Sequence, residues 1–133
     1  MLIGWMALIF LFSHQPQLPQ MPSGWADLIL KKAMHATAYG ILMGLWWQSL
    51  RPQREPEFSP DTKSLQTKAQ TGIKTLVMAL LFTLLYAITD EWHQTFIPGR
   101  HGQFADVLID FSGALVVFIF LSYGTHKPDH QST

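Results

Sequence analysis

Residues 104–123 read FADVLIDFSGALVVFIFLSY, and Asp106 and Asp110 are their only charges. The second half, Leu115-Val116-Val117-Phe118-Ile119-Phe120-Leu121, leaves no polar face at helical spacing. A helix that is apolar all round is either a buried core helix or a membrane span. Leu76-Val77-Met78-Ala79-Leu80-Leu81-Phe82 has the same character. A soluble four-helix bundle would instead alternate polar and apolar faces along each helix. These two stretches therefore favour a membrane.

The rest of the chain repeats the pattern, with its charges fenced into gaps. Met1 to Phe12 carries none, and the first charge is Asp27. Ala33 to Leu50 contains His35 as its one ionisable side chain apart from Tyr39, and Thr75 to Thr89 has no charge. A spanning helix needs about 20 mostly apolar residues. The blocks predict four transmembrane helices near residues 1–14, 33–50, 73–93 and 104–123, the first of them short. The expected fold is all-α, a small polytopic bundle over residues 1–124. The opening block lacks the basic start and small-residue cleavage site of a signal peptide. Three prolines within 15–23 mark a loop, Pro52, Pro56 and Pro60 mark a polar connector over 51–72, and 125–133 reads as a polar tail.

Composition agrees. Of 133 residues, 48% are hydrophobic and 14% charged, well below the roughly 25% charged of soluble proteins. Nine basic and nine acidic residues cancel, so nucleic acid is not an expected partner. There is no cysteine, which excludes disulfides, thiolate nucleophiles and zinc–cysteine sites. Arg51, Arg54, Lys63, Lys68, Lys74 and Lys127 outnumber Lys31, Lys32 and Arg100 on the opposite side. The positive-inside rule then puts both termini and the middle connector in the cytoplasm, in an inner membrane.

With that topology the costly polar residues gather at the outer face. Lys31, His35 and Tyr39 share one helical stripe; Tyr86, Asp90 and His93 share a second, and Asp106, Asp110 and Gly113 a third. Asp110 lies about 9 Å along its helix from Phe104, deep enough to be expensive in lipid. Ionisable groups inside a membrane are functional candidates by default. The alternative is that they only pin helices together through pairs with Arg100 and the histidines. Asp90, Glu91, His93, Asp106 and Asp110 are the candidates for general acid and base chemistry. Arg100, after Pro98-Gly99, is a candidate clamp for a phosphate or carboxylate. A metal would draw on His35, Asp90 and His93, but that spacing lacks the specificity of known zinc patterns, so no cofactor is expected. His14, His126 and His130 receive no role. Trp25, Trp46, Trp47, Trp92 and Tyr123 fall near block ends, where aromatic rings favour the interface; Trp92 and Phe96 are also candidates for lining a cleft.

Asp90-Glu91-Trp92-His93-Gln94-Thr95-Phe96-Ile97-Pro98-Gly99-Arg100, followed by Asp106, Asp110 and Gly113, resembles the signature of VanZ-like membrane proteins. Lys32, His35 and Tyr39 resemble that family's earlier motif, and Ser13-His14-Gln15-Pro16 the stretch that closes its first helix. The chain departs from the pattern at Lys31, often aspartate, at Ala36, often aromatic, and at Val117, where a second glycine would ease close packing of helix four. The resemblance implies a small integral protein of the bacterial cell envelope, whose namesake is linked to resistance to the glycopeptide teicoplanin. Its expected partners are membrane lipids and a lipid-linked cell-wall precursor. Lys32, His35, Tyr39, Gln94 and Arg100 are the expected ligand-binding residues. Two other readings compete, a membrane-embedded acid–base enzyme acting on a lipid headgroup and an assembly protein with a purely structural cluster.

Overall fold

The computed structural model describes residues 1–15, 24–51, 62–100 and 102–125, with side chains throughout except 62–71 and 125. Four helices make up the architecture: α1 (Leu2–Ser13), α2 (Gly24–Leu50), α3 (Thr62–Gln94) and α4 (Phe104–Thr125). The all-α expectation holds.

Two helices begin well before their apolar blocks. α2 starts at Gly24 rather than near residue 33, and its first turn is acidic at Asp27, which suits the positive end of the helix dipole. Asp27 also pairs with Lys31 one turn on, at 2.6 Å. α3 starts at Thr62, inside the stretch read as a polar connector, because the last of the connector's prolines is Pro60. Hydropathy marks where a helix is oily, and helices continue past that limit wherever no breaker stops them.

The polar contacts fix the relative directions. Lys32 pairs with Asp106 and His35 with Asp110, and farther along both helices Gly40 meets Gly113, so α2 and α4 run parallel. Tyr39 reaches Asp90 while Met43, a turn later in α2, packs with Leu76 and Ala79, so α3 runs antiparallel to α2. Ser13 at the end of α1 bonds Asp90 near the end of α3. The bundle is up–down–up–down, with the ends of α1 and α3 and the start of α4 at one pole.

α2 and α4 touch backbone to backbone. A Cβ on Gly113 would overlap the backbone of Ala36, and one on Gly40 would stand 3.2 Å from the Gly113 carbonyl oxygen. Small residues permit this approach, the usual device of helices packing in lipid. Val117 does not prevent it: its Cγ2 packs over Gly40.

Polar side chains are buried beside the apolar core while large apolar ones face outward. Asp110 is 0% exposed and Asp90, Glu91, Gln94, Ser13 and Thr83 are buried, whereas Val116 and Phe120 are 67% and 76% exposed. Gly72–Gln94 and Phe104–Gly124, at about 1.5 Å per residue, are both long and apolar enough to cross a hydrocarbon layer of about 30 Å. α1 is apolar but shorter.

Candidate functional site

The polar pole is built around the last turns of α3. Asp90 and Gln94, four apart, face the same way, and Glu91 is three before Gln94. The Gln94 amide therefore reaches both acids, donating from Nε2 to Asp90 Oδ2 and to Glu91 Oε1, each at 3.2 Å. Asp90 Oδ2 also accepts from Ser13 Oγ at 2.6 Å and from Tyr39 Oη at 3.1 Å. One carboxylate oxygen thus joins α1, α2 and α3.

The turn after α3 brings Arg100 back over this centre. The Arg100 N–H donates to the Ile97 carbonyl at 3.1 Å, with Pro98 second in the turn and Gly99 third at φ 81°. That is the arrangement of a type II turn, in which a positive φ at the third position favours glycine. Arg100 Nη1 then donates to Gln94 Oε1 at 2.9 Å, Nε to the Gln15 carbonyl at 3.1 Å and Nη2 to the Phe12 carbonyl at 3.4 Å. Its charge sits on the carbonyl end of α1, where a cation complements the dipole. Three of the five guanidinium N–H groups are engaged in this way.

Beyond that turn, Gly102 crosses the end of α3. A Cβ there would run into the Glu91 carbonyl oxygen and stand 2.8 Å from Thr95 Cγ2. The close crossing lets the Gln103 N–H donate to Glu91 Oε2 at 3.2 Å. On the α2–α4 side, Lys32 Nζ meets Asp106 Oδ1 at 2.7 Å, and both side chains are about one-third exposed. His35 Nδ1 lies 3.4 Å from Asp110 Oδ1. Neither oxygen of Asp110 accepts a hydrogen bond, and Asp90 Oδ1 accepts none either.

The sequence-derived candidates thus divide into four sets. Tyr39, Asp90, Glu91, Gln94 and Arg100 form one hydrogen-bonded network. His35 and Asp110 meet beside it, and Lys32 with Asp106 forms its rim. His93 stands apart, its Nε2 3.1 Å from His14 Nδ1 and its ring against Phe10. Among the described residues, the one set of three His, Asp or Glu side chains close enough to share a cation is His35, Glu91 and Asp110. The triple drawn from spacing, His35, Asp90 and His93, is corrected on two members. His93 points to α1, and Glu91 takes the place of Asp90.

Sequence reasoning left out Ser13, Gln15 and Gly102 as site-builders and gave His14 no role. A serine at the end of an oily helix and a glycine after an Arg-His pair were the available signals. His126 and His130 lie outside the described residues. Trp92 and Phe96 line a cleft of about 290 Å3 together with Phe10, Tyr86, Asp90 and His93.

A family model described as VanZ/LLP1 matches residues 1–124. No curated protein and no solved structure matches the chain.

Proposed function

The chain belongs to the VanZ/LLP1 family, and on that premise we propose that it is a four-span protein of the bacterial cytoplasmic membrane that binds a phosphate-bearing lipid at its polar pole. The ligand class is an anionic phospholipid or a lipid-linked cell-wall precursor. The carrying observation is the adjacency of two surfaces. Asp90 lines the mostly apolar Phe10–Trp92–Phe96 cleft and also bonds Gln94, which holds Arg100, while Lys32 and His35 stand on the α2–α4 side of the same pole. The cleft suits an acyl or prenyl chain, and the pole suits a headgroup.

The lysine and arginine distribution supports cytoplasmic termini and an outward-facing pole. The teicoplanin link of the family's namesake favours a cell-envelope ligand over an internal metabolite. Native mass spectrometry of the gently purified protein tests the reading. An acidic lipid or polyprenyl phosphate should travel with the wild type, be depleted in Lys32→Ala and Arg100→Ala, and stay bound in Gln48→Ala. Bare protein at its own expected mass in each of the four samples sinks it.

One observation favours a second reading, an acid–base enzyme acting on such a headgroup. The Asp110 carboxylate, free of hydrogen bonds, faces the His35 imidazole, a pairing that serves proton transfer. Incubation with labelled phospholipids and polyprenyl phosphates without turnover at any pH counts against it.

A further inference from the structure

We infer that His35, Glu91 and Asp110 bind one divalent first-row transition-metal cation, manganese or zinc, inside the polar pole. Each side chain offers one donor atom, and these atoms all lie within 4.8 Å of one another. Around a tetrahedral ion with ligand bonds of about 2.0–2.2 Å, donors stand roughly 3.4 Å apart, so the three side chains close in by up to about 1.4 Å on binding.

Proximity of acids alone makes no site, but Asp110 adds an independent observation. It is fully buried at 0% exposure, and neither of its oxygens accepts a hydrogen bond. Buried carboxylate oxygens ordinarily find donors, and the group that faces Asp110 is the one imidazole nitrogen at 3.4 Å. Glu91, 5% exposed, is already oriented from both sides by the Gln94 amide and the Gln103 N–H, the kind of support that holds a metal ligand in place.

The donor set selects the ion. Calcium and magnesium take oxygen ligands, whereas an imidazole with two carboxylates suits manganese or zinc. There is no thiolate to favour softer metals. Three protein ligands leave coordination positions open. The His35 side chain is 30% exposed beside the Lys32–Asp106 rim, so those positions are reachable from outside. The ion also removes an electrostatic difficulty in the proposed function. Asp90, Glu91, Asp106 and Asp110 repel an incoming phosphate, and a bound dication reverses the local field. That last step, a phosphate oxygen completing the metal's coordination, rests on the lipid reading; the metal site itself does not.

The test is equilibrium dialysis of the chelator-stripped, full-length protein in detergent against manganese or zinc, with metal quantified per chain. The wild type and Gln48→Ala should bind one ion. His35→Gln and Asp110→Asn should each weaken binding at least about tenfold, as loss of metal-site groups does. In the manganese sample, pulsed electron paramagnetic resonance should show a nitrogen coupling that His35→Gln abolishes. Should Asp110→Asn fail to fold, the half-buried His35 variant decides alone. Wild-type binding below about 0.1 ion per chain, or binding untouched by His35→Gln in protein of normal helicity, overturns the site and leaves protons as its counterions. Native mass spectrometry with and without EDTA separates the two claims. Metal bound with no retained lipid keeps the site and rejects the lipid reading; lipid retained equally in EDTA by a protein that binds no metal does the reverse.

Discussion

Ser13 Oγ donates to Asp90 Oδ2 at 2.6 Å, across 77 positions of sequence, and both groups are buried. This bond closes the α1 end against α3, where Arg100 also grips the Phe12 and Gln15 carbonyls. α1 is apolar and short, so these polar hooks, with the Trp5 indole donating to the Ala38 carbonyl at 3.0 Å, hold it in register.

Ser13→Ala should destabilise the bundle. A hydrogen bond to a carboxylate contributes roughly 1.5–3 kcal/mol, and its loss adds to the unpartnered Oδ1 already on Asp90. Thermal or denaturant unfolding in detergent should register a loss in that range. A loss below about 0.5 kcal/mol would show that the bond contributes little.

Gly113→Ala and Gly44→Ala should differ in sign. The first drives a methyl group into the Ala36 backbone, where neither helix has a side chain to move, and should cost about 1–3 kcal/mol as overpacking does. Nothing lies within 4 Å of a Cβ at Gly44, so that change should be neutral or stabilise by up to about 1 kcal/mol through helix propensity. Parallel unfolding curves of the two variants decide it.

Arg100→Ala should loosen the α1 end without unfolding α2 and α4. Three donors are lost from one guanidinium, two of them on α1-end carbonyls. Faster hydrogen exchange confined to residues around 10–15, with α4 protected as in the wild type, is the expected result. Uniform loss of protection would make Arg100 a core element instead. Arg100→Lys should rescue only in part, because an ammonium cannot present the planar fork.

The proposed topology is open to cysteine labelling on the natural cysteine-free background. Gln103→Cys should react with a membrane-impermeant maleimide in intact cells, while Phe58→Cys and Thr133→Cys should react only after lysis. The opposite pattern would invert the protein and place the polar pole in the cytoplasm.

Much of this architecture follows from hydropathy alone. The uncharged run of Leu76 to Phe82 and that of Leu115 to Leu121 each define a helix with no preferred wet face. Each of the three stripes contains one side chain that is buried, Tyr39, Asp90 and Asp110, while Lys31, His35, Tyr86, His93 and Asp106 on the same stripes are only partly covered. Helical periodicity is local, so residues three and four apart are assigned to one face without knowledge of the neighbours. The starts of α2 and α3 were less legible, since apolar content does not report where a polar helix extension ends.

Partner choice was decided by the tertiary structure. Spacing alone paired Asp90 with His93, set Glu91 on a different face, and linked His93 with His35. Helix rotation instead turns His93 to His14, Glu91 towards the Asp110 side, and Asp90 to Ser13 and Tyr39. Arg100 read as a candidate anion clamp; the Pro98-Gly99 turn folds it back so that three of its N–H groups meet Gln94 and the Phe12 and Gln15 carbonyls, leaving two for an anion. The sequence by itself determined the oily helices and the polar set that must hide from lipid, because burial cost belongs to each side chain. Which oxygen meets which donor depends on helix crossing and rotation, set where Gly113 lets α4 close on Ala36, and no local pattern encodes that contact.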